Sequence, residues 1–86
     1  MKVKLSKNFQ KQYRKAPRKI QKSVKSRIIL FRNNPSDSLL NNHALVGKLK
    51  GYRSINVTGD WRAIYRDIGV DIAYFESLGT HSQLYK

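Results

Sequence analysis

The chain has 86 residues, no cysteine, and 18 Lys and Arg against five Asp and Glu, for a formal net charge of +13. That length holds one domain with one modest core. The lack of cysteine excludes disulfides, thiolate metal centres and thiol nucleophiles and fits a reducing compartment. No apolar run is longer than four residues, as in Ile28-Ile29-Leu30-Phe31, and no secretory leader follows Met1-Lys2-Val3-Lys4-Leu5. A cytoplasmic protein with no membrane partner is therefore expected.

The charge is unevenly spread. Residues 1–36 carry twelve Lys and Arg and no acid, whereas residues 37–86 are almost balanced. Such a basic half attracts a polyanion at long range and binds it by counterion release.

In chain order, Lys2 to Leu5 alternates polar and apolar residues and predicts a short strand. Ser6 is placed to N-cap a helix through Phe9 and Tyr13, which Ala16-Pro17 interrupts. Pro17 suits the first turn of a second helix, in which Ile20, Val24, Ile28 and Phe31 form one buried stripe. That helix ends near Asn33-Asn34-Pro35, because the residue before proline disfavours helix. Residues 33–42 predict a polar loop that leaves His43 in solvent. Strands are expected at 52–57, 61–66 and 70–78, joined by turns at Thr58-Gly59-Asp60 and around Asp67 to Gly69. Gly79 is expected to break the last strand, with residues 80–86 as a short tail. The order is β-α-α-β-β-β: an α+β domain with two N-terminal helices on one face of a small antiparallel sheet.

The second half holds the residue types that RNA cleavage needs. A base removes the proton of a ribose 2′-OH, an acid protonates the departing oxygen, and cations stabilise the phosphorane. Imidazole suits the proton transfers and the arginine fork suits the phosphate. His43, His81, Asp60, Arg62 and Tyr85 are the candidates, with Lys48, Arg53 and Asn56 nearby. Each has a plain structural reading beside the chemical one. His43 is a solvated loop residue, His81 caps the tail, Asp60 is a hairpin-turn residue, Tyr85 plugs the sheet end, and Trp61 and Tyr65 are core aromatics. Lys11, Lys15, Lys19 and Lys22 form helix faces suited to phosphate contact or to solvent. The His and carboxylate spacings fit no zinc site, and no glycine-rich phosphate loop is present. No cofactor is expected.

Three blocks carry a resemblance. His43-Ala44-Leu45-Val46-Gly47-Lys48-Leu49-Lys50-Gly51-Tyr52-Arg53 resembles the H-x-L-x-G-x-x-x-G-Y-R run of the YafQ-like toxins in the RelE superfamily. Gly59-Asp60-Trp61-Arg62-Ala63-Ile64-Tyr65 resembles their D-W-x-x-x-Y strand, and Gly79-Thr80-His81-Ser82-Gln83-Leu84-Tyr85 their G-T-H-x-x-L-[FY] end. The resemblance implies a type II toxin that cleaves mRNA on the ribosome without metal. By position, His43, Asp60 and His81 match acid/base residues, Arg62 a phosphate-binding arginine, and Tyr85 an aromatic that is often Phe. His81 is expected as the acid and either Asp60 or His43 as the base. Asn56 departs from the pattern, which places a histidine there; an amide hydrogen-bonds but transfers no proton. The implied partners are an acidic cognate antitoxin, the ribosome and mRNA, with operator DNA reached only through the antitoxin complex. Two other readings share the sequence: a ParE-like gyrase inhibitor without nuclease activity, and a non-catalytic nucleic-acid-binding module.

Overall fold

The computed structural model describes residues 1–85; Lys86, the end of the expected tail, lies outside them. Strand β1 (Lys2–Leu5) leads through Ser6 into helix α1 (Lys7–Lys15). The Ser6 Oγ accepts the Phe9 N–H at 2.8 Å and donates to the Glu76 carbonyl at 2.8 Å. One hydroxyl thus starts the helix and ties it to the sheet. Helix α2 (Arg18–Asn33) begins one residue later than expected, with Pro17 as its N-cap. Along its stripe Val24 and Phe31 are buried, and Ile20 and Ile28 pack against them. The segment after it is less polar than its composition suggests. Asp37 caps a 3₁₀ turn (Ser38–Leu40) that drives Leu40 to full burial.

Four strands follow: β2 (His43–Ala44), β3 (Arg53–Asn56), β4 (Trp61–Gly69) and β5 (Ile72–Thr80), and then helix α3 (His81–Leu84). They form one sheet in the order β1-β5-β4-β3-β2. The expected β-α-α-β-β-β order and the α+β class hold, with the two-residue β2 and the short α3 added to them. The sheet is mixed, however, because β1 lies parallel to β5 while the other pairs are antiparallel. His43 is in a strand, paired with Ser54, and not in a loop. The β4–β5 turn is at Val70-Asp71, not at Asp67 to Gly69, with Asp71 at φ 60°. Gly79 does not end β5; it pairs with Arg62. The expected tail is helix α3, held by a capping box in which Thr80 and Gln83 satisfy each other's backbone N–H.

Strand alternation gives the sheet two unlike faces. Ile55, Ala63, Tyr65, Ala73, Phe75 and Leu78 meet Phe9 of α1 and Val24 and Phe31 of α2. The aromatic centre is edge-to-face, with Phe31 4.8 Å from Tyr65 and 5.2 Å from Phe75. A bulge between Ile64 and Tyr65 resets the register, so that Leu78 and Phe75 both reach this core. The opposite face carries His43, Ser54, Asn56, Arg62 and Ile64, and no helix of the first half covers it. No described helix is long and apolar enough to cross a membrane.

Candidate active site

The open face ends in a cleft of about 280 Å³ lined by Asn41, His43, Leu45, Arg62, His81 and Tyr85. Residues 43, 62, 81 and 85 come from β2, β4, α3 and the residue after α3, so the sheet register and the C-terminal turn together assemble the site. His43 Nδ1 lies 2.8 Å from the Asn41 carbonyl oxygen. A carbonyl only accepts, so Nδ1 carries the hydrogen and Nε2 of the neutral ring keeps a lone pair. His81 is the first residue of α3, and its backbone N–H donates to the Asp60 carbonyl at 3.0 Å. Its ring lies against Tyr85, centroids 4.6 Å apart at 54°. The Tyr85 hydroxyl donates to Ser54 Oγ at 3.1 Å.

Arg62 is held from one end. Its Nη1 donates to the carbonyls of Gly59, Thr58 and Trp61 at 2.9, 3.1 and 3.3 Å, which leaves Nε and Nη2 for another acceptor. Asn56 is opposite Arg62 in the β3–β4 register, and its Oδ1 is buried with no hydrogen-bond partner among the described residues. It is the one side-chain polar atom there that pays desolvation without compensation.

Not every expected residue joins the cleft. Asp60 sits in the β3–β4 turn, exposed, and meets His81 through its main chain; its carboxylate is not part of the lining. Arg53 pairs with Tyr65 on the core side, and its Nε donates to Asn42 Oδ1 at 2.8 Å. Asn42 in turn donates to the Tyr65 hydroxyl at 2.7 Å, so Arg53 is tied into a structural network. Lys48 is exposed in a 3₁₀ turn (Gly47–Leu49) beyond the lining. Lys11, Lys15, Lys19 and Lys22 are on the two long helices, behind the core. Of these, Lys15 borders the crevice where the end of α1 meets Trp61, Gln83 and Leu84. Sequence reasoning misses Ser54, an ordinary strand serine by composition, and the capping box, whose signal is Thr80-His81-Ser82-Gln83. Among the described residues no three His, Asp or Glu side chains group as metal ligands.

Two helices under a five-stranded sheet is a fold that this chain shares with solved bacterial toxins. A YoeB/ParE toxin from Agrobacterium tumefaciens shares the fold at 19% identity and TM-score 0.76, covering 94% of this chain and 99% of that one. Greater likeness is found to a histidine-to-glutamine variant of Escherichia coli YafQ: 28% identity, TM-score 0.82, covering 98% of this chain and 97% of that one. YafQ in the E. coli DinJ–YafQ complex matches at 27% identity and TM-score 0.67, again covering 98% and 97%. No curated protein matches the chain by sequence. The family model for YafQ, a bacterial toxin of type II toxin-antitoxin systems, matches residues 1–86, and the chain belongs to that family.

Proposed function

We propose that this toxin is an endoribonuclease that cleaves mRNA on the ribosome, using side chains alone for the chemistry. The observation that carries the reading is the convergence of two imidazoles, a guanidinium and an aromatic ring on one small cleft. His43 acts as the base, because its Nδ1 is occupied by the Asn41 carbonyl and its Nε2 is free to take the 2′-OH proton. The 2′-oxygen attacks phosphorus, the bond to O5′ breaks, and His81 delivers a proton to that oxygen. The products are a 2′,3′-cyclic phosphate and a 5′-hydroxyl. Arg62, braced on three carbonyls, stabilises the charge on the phosphorane. The position of the Asp60 carboxylate outside the lining favours His43 over Asp60 as the base. Asn56 serves as a hydrogen-bonding partner near Arg62, and Lys48 as a flanking phosphate contact.

The basic helices supply the grip on ribosomal RNA, which accounts for twelve cations without one acid in residues 1–36. The partner that holds the toxin inactive is an acidic antitoxin, as DinJ is bound to YafQ in the E. coli complex. The apolar groove between α1 and α2, lined by Leu5, Phe9, Tyr13, Val24 and Ile28 and bordered by Arg14 and Lys25, is the complement of an acidic amphipathic segment. Operator DNA would be reached through that complex, in the cytoplasm.

The test is to induce the chain and its His81→Ala variant in bacteria lacking the antitoxin, and to map mRNA 5′ ends by primer extension. Breaks within translated codons are expected for the wild type, reduced by about 10²- to 10⁴-fold in the variant. Intact mRNA in growth-arrested cells would replace this reading with a gyrase-type toxin. Intact mRNA in healthy cells would leave a binding module.

A further inference from the structure

Ser54 has no exposed surface, although it faces the open side of the sheet. A hydroxyl so placed is costly unless it is hydrogen-bonded, and its partner is the phenol of Tyr85, at 3.1 Å. Tyr85 follows α3 directly, and its ring is packed on the ring of His81. The backbone of His81 is fixed by the Asp60 carbonyl and by the Thr80 cap. No hydrogen bond from the described residues reaches its ring nitrogens, and an exposed side chain otherwise turns between rotamers in picoseconds to nanoseconds. The ring of Tyr85 is therefore what orients the imidazole, and Ser54 is what anchors Tyr85. On its other side Ser54 is directly opposite His43 in the β2–β3 register, where paired side chains share a face. One buried hydroxyl thus bonds the tyrosine that packs on His81 and shares a register position with His43, and both histidines line the cleft.

We infer that Ser54 is a positioning residue for the cleavage reaction: through Tyr85 it holds the His81 imidazole in the orientation that serves the leaving oxygen. The inference rests on the nuclease reading above, and it concerns an interaction that a phenylalanine at position 85 lacks. Proton transfer depends on such orientation far more than substrate binding does. The loss of the Ser54 hydroxyl is therefore felt in kcat and not in KM.

The experiment compares Ser54→Ala, Tyr85→Phe and the double variant with wild type, by cleavage of a defined mRNA in a reconstituted translation reaction and by proton NMR of the His81 ring. Each single variant should lower kcat about three- to tenfold, the worth of one ordinary hydrogen bond. KM should stay within about twofold, and the double variant should be no slower than the slower single, since the same bond is absent from all three. The ring-current shift that Tyr85 imposes on the His81 protons should shrink in all three. If Ser54→Ala fails to fold, Tyr85→Phe removes the same bond from a half-exposed residue and decides the matter. Unchanged kcat in a folded variant overturns the proposal, whether or not the ring-current shift survives; so do additive losses in the double variant. A wild-type chain that cleaves no mRNA overturns the nuclease reading instead, and the NMR shift then still decides whether Ser54 holds the tail.

Discussion

The two faces of the sheet are built on opposite principles. The helix-covered face buries Phe9, Phe31, Leu40, Ile55 and Phe75 completely, and among the described residues the one ionisable group buried there is the Tyr65 phenol. The open face presents two exposed histidines, a half-buried arginine braced on three carbonyls, and a half-buried tyrosine held by one hydrogen bond and one ring contact beside a four-residue helix. Close packing fixes the first face through many small contributions, so it supplies the stability. The second is fixed by a handful of hydrogen bonds and a ring stack, so it is free to carry groups that would be costly in a core. Stability and activity should therefore respond to different substitutions.

The largest expected break in that comparison is Phe31→Ala. It removes the ring that meets both Tyr65 and Phe75, and should cost about 3–5 kcal/mol. That is a large share of the stability of a domain this small. Urea titration should show the midpoint falling, while the folded fraction keeps its cleavage rate. His81→Ala should do the reverse, with an unchanged midpoint and cleavage lowered by about 10²- to 10⁴-fold. Loss of activity in folded Phe31→Ala would mean that the two faces are coupled through the sheet. A smaller effect is expected for Ser6→Ala, which removes the α1 cap and the bond to the Glu76 carbonyl. The cost should be about 1–2 kcal/mol by the same titration, again without a change in cleavage per folded molecule.

The same division explains what is legible in the chain. The helix-covered face follows local rules. Ser6 caps, Pro17 restarts and Pro35 stops, and the Ile20–Phe31 stripe has helical spacing, so both helices can be placed within a residue or two. The open face depends on pairings distant in sequence. Nothing local says that β1 lies parallel to β5, since that pairing joins residues about seventy apart in number. Gly79 has the propensity of a breaker, yet it stays in β5 because α3 folds back over it. A Cβ there would come within 3.0 Å of the Gln83 side chain and 3.3 Å of Leu84. Asp67-Ile68-Gly69 has turn chemistry, but the pairing of Gly69 with Ile72 moves the turn to Val70-Asp71. The two residues of β2 are too few for any periodicity. The family motifs name His43, Arg62, His81 and Tyr85, and the cleft assembles them; they do not reveal that Arg53 turns toward the core, or that Ser54 lies beneath Tyr85.

The smallest effect separates grip from chemistry. Lys11, Lys15, Lys19 and Lys22 are on helices behind the core, so phosphates bound there act on association and not on the reacting atoms. Replacing all four with Gln should weaken ribosome binding. The dependence of log K on log salt should become shallower by roughly 0.7 to 0.9 for each phosphate no longer neutralised. The cleavage rate at saturating ribosome should stay unchanged. Among the single variants, Lys15→Gln is the one to watch, because Lys15 borders the crevice shared with Gln83 and Leu84 of α3. If its replacement changes kcat as well as the salt slope, the helix face and the C-terminal helix α3 meet at that crevice, and the division between the two faces ends there.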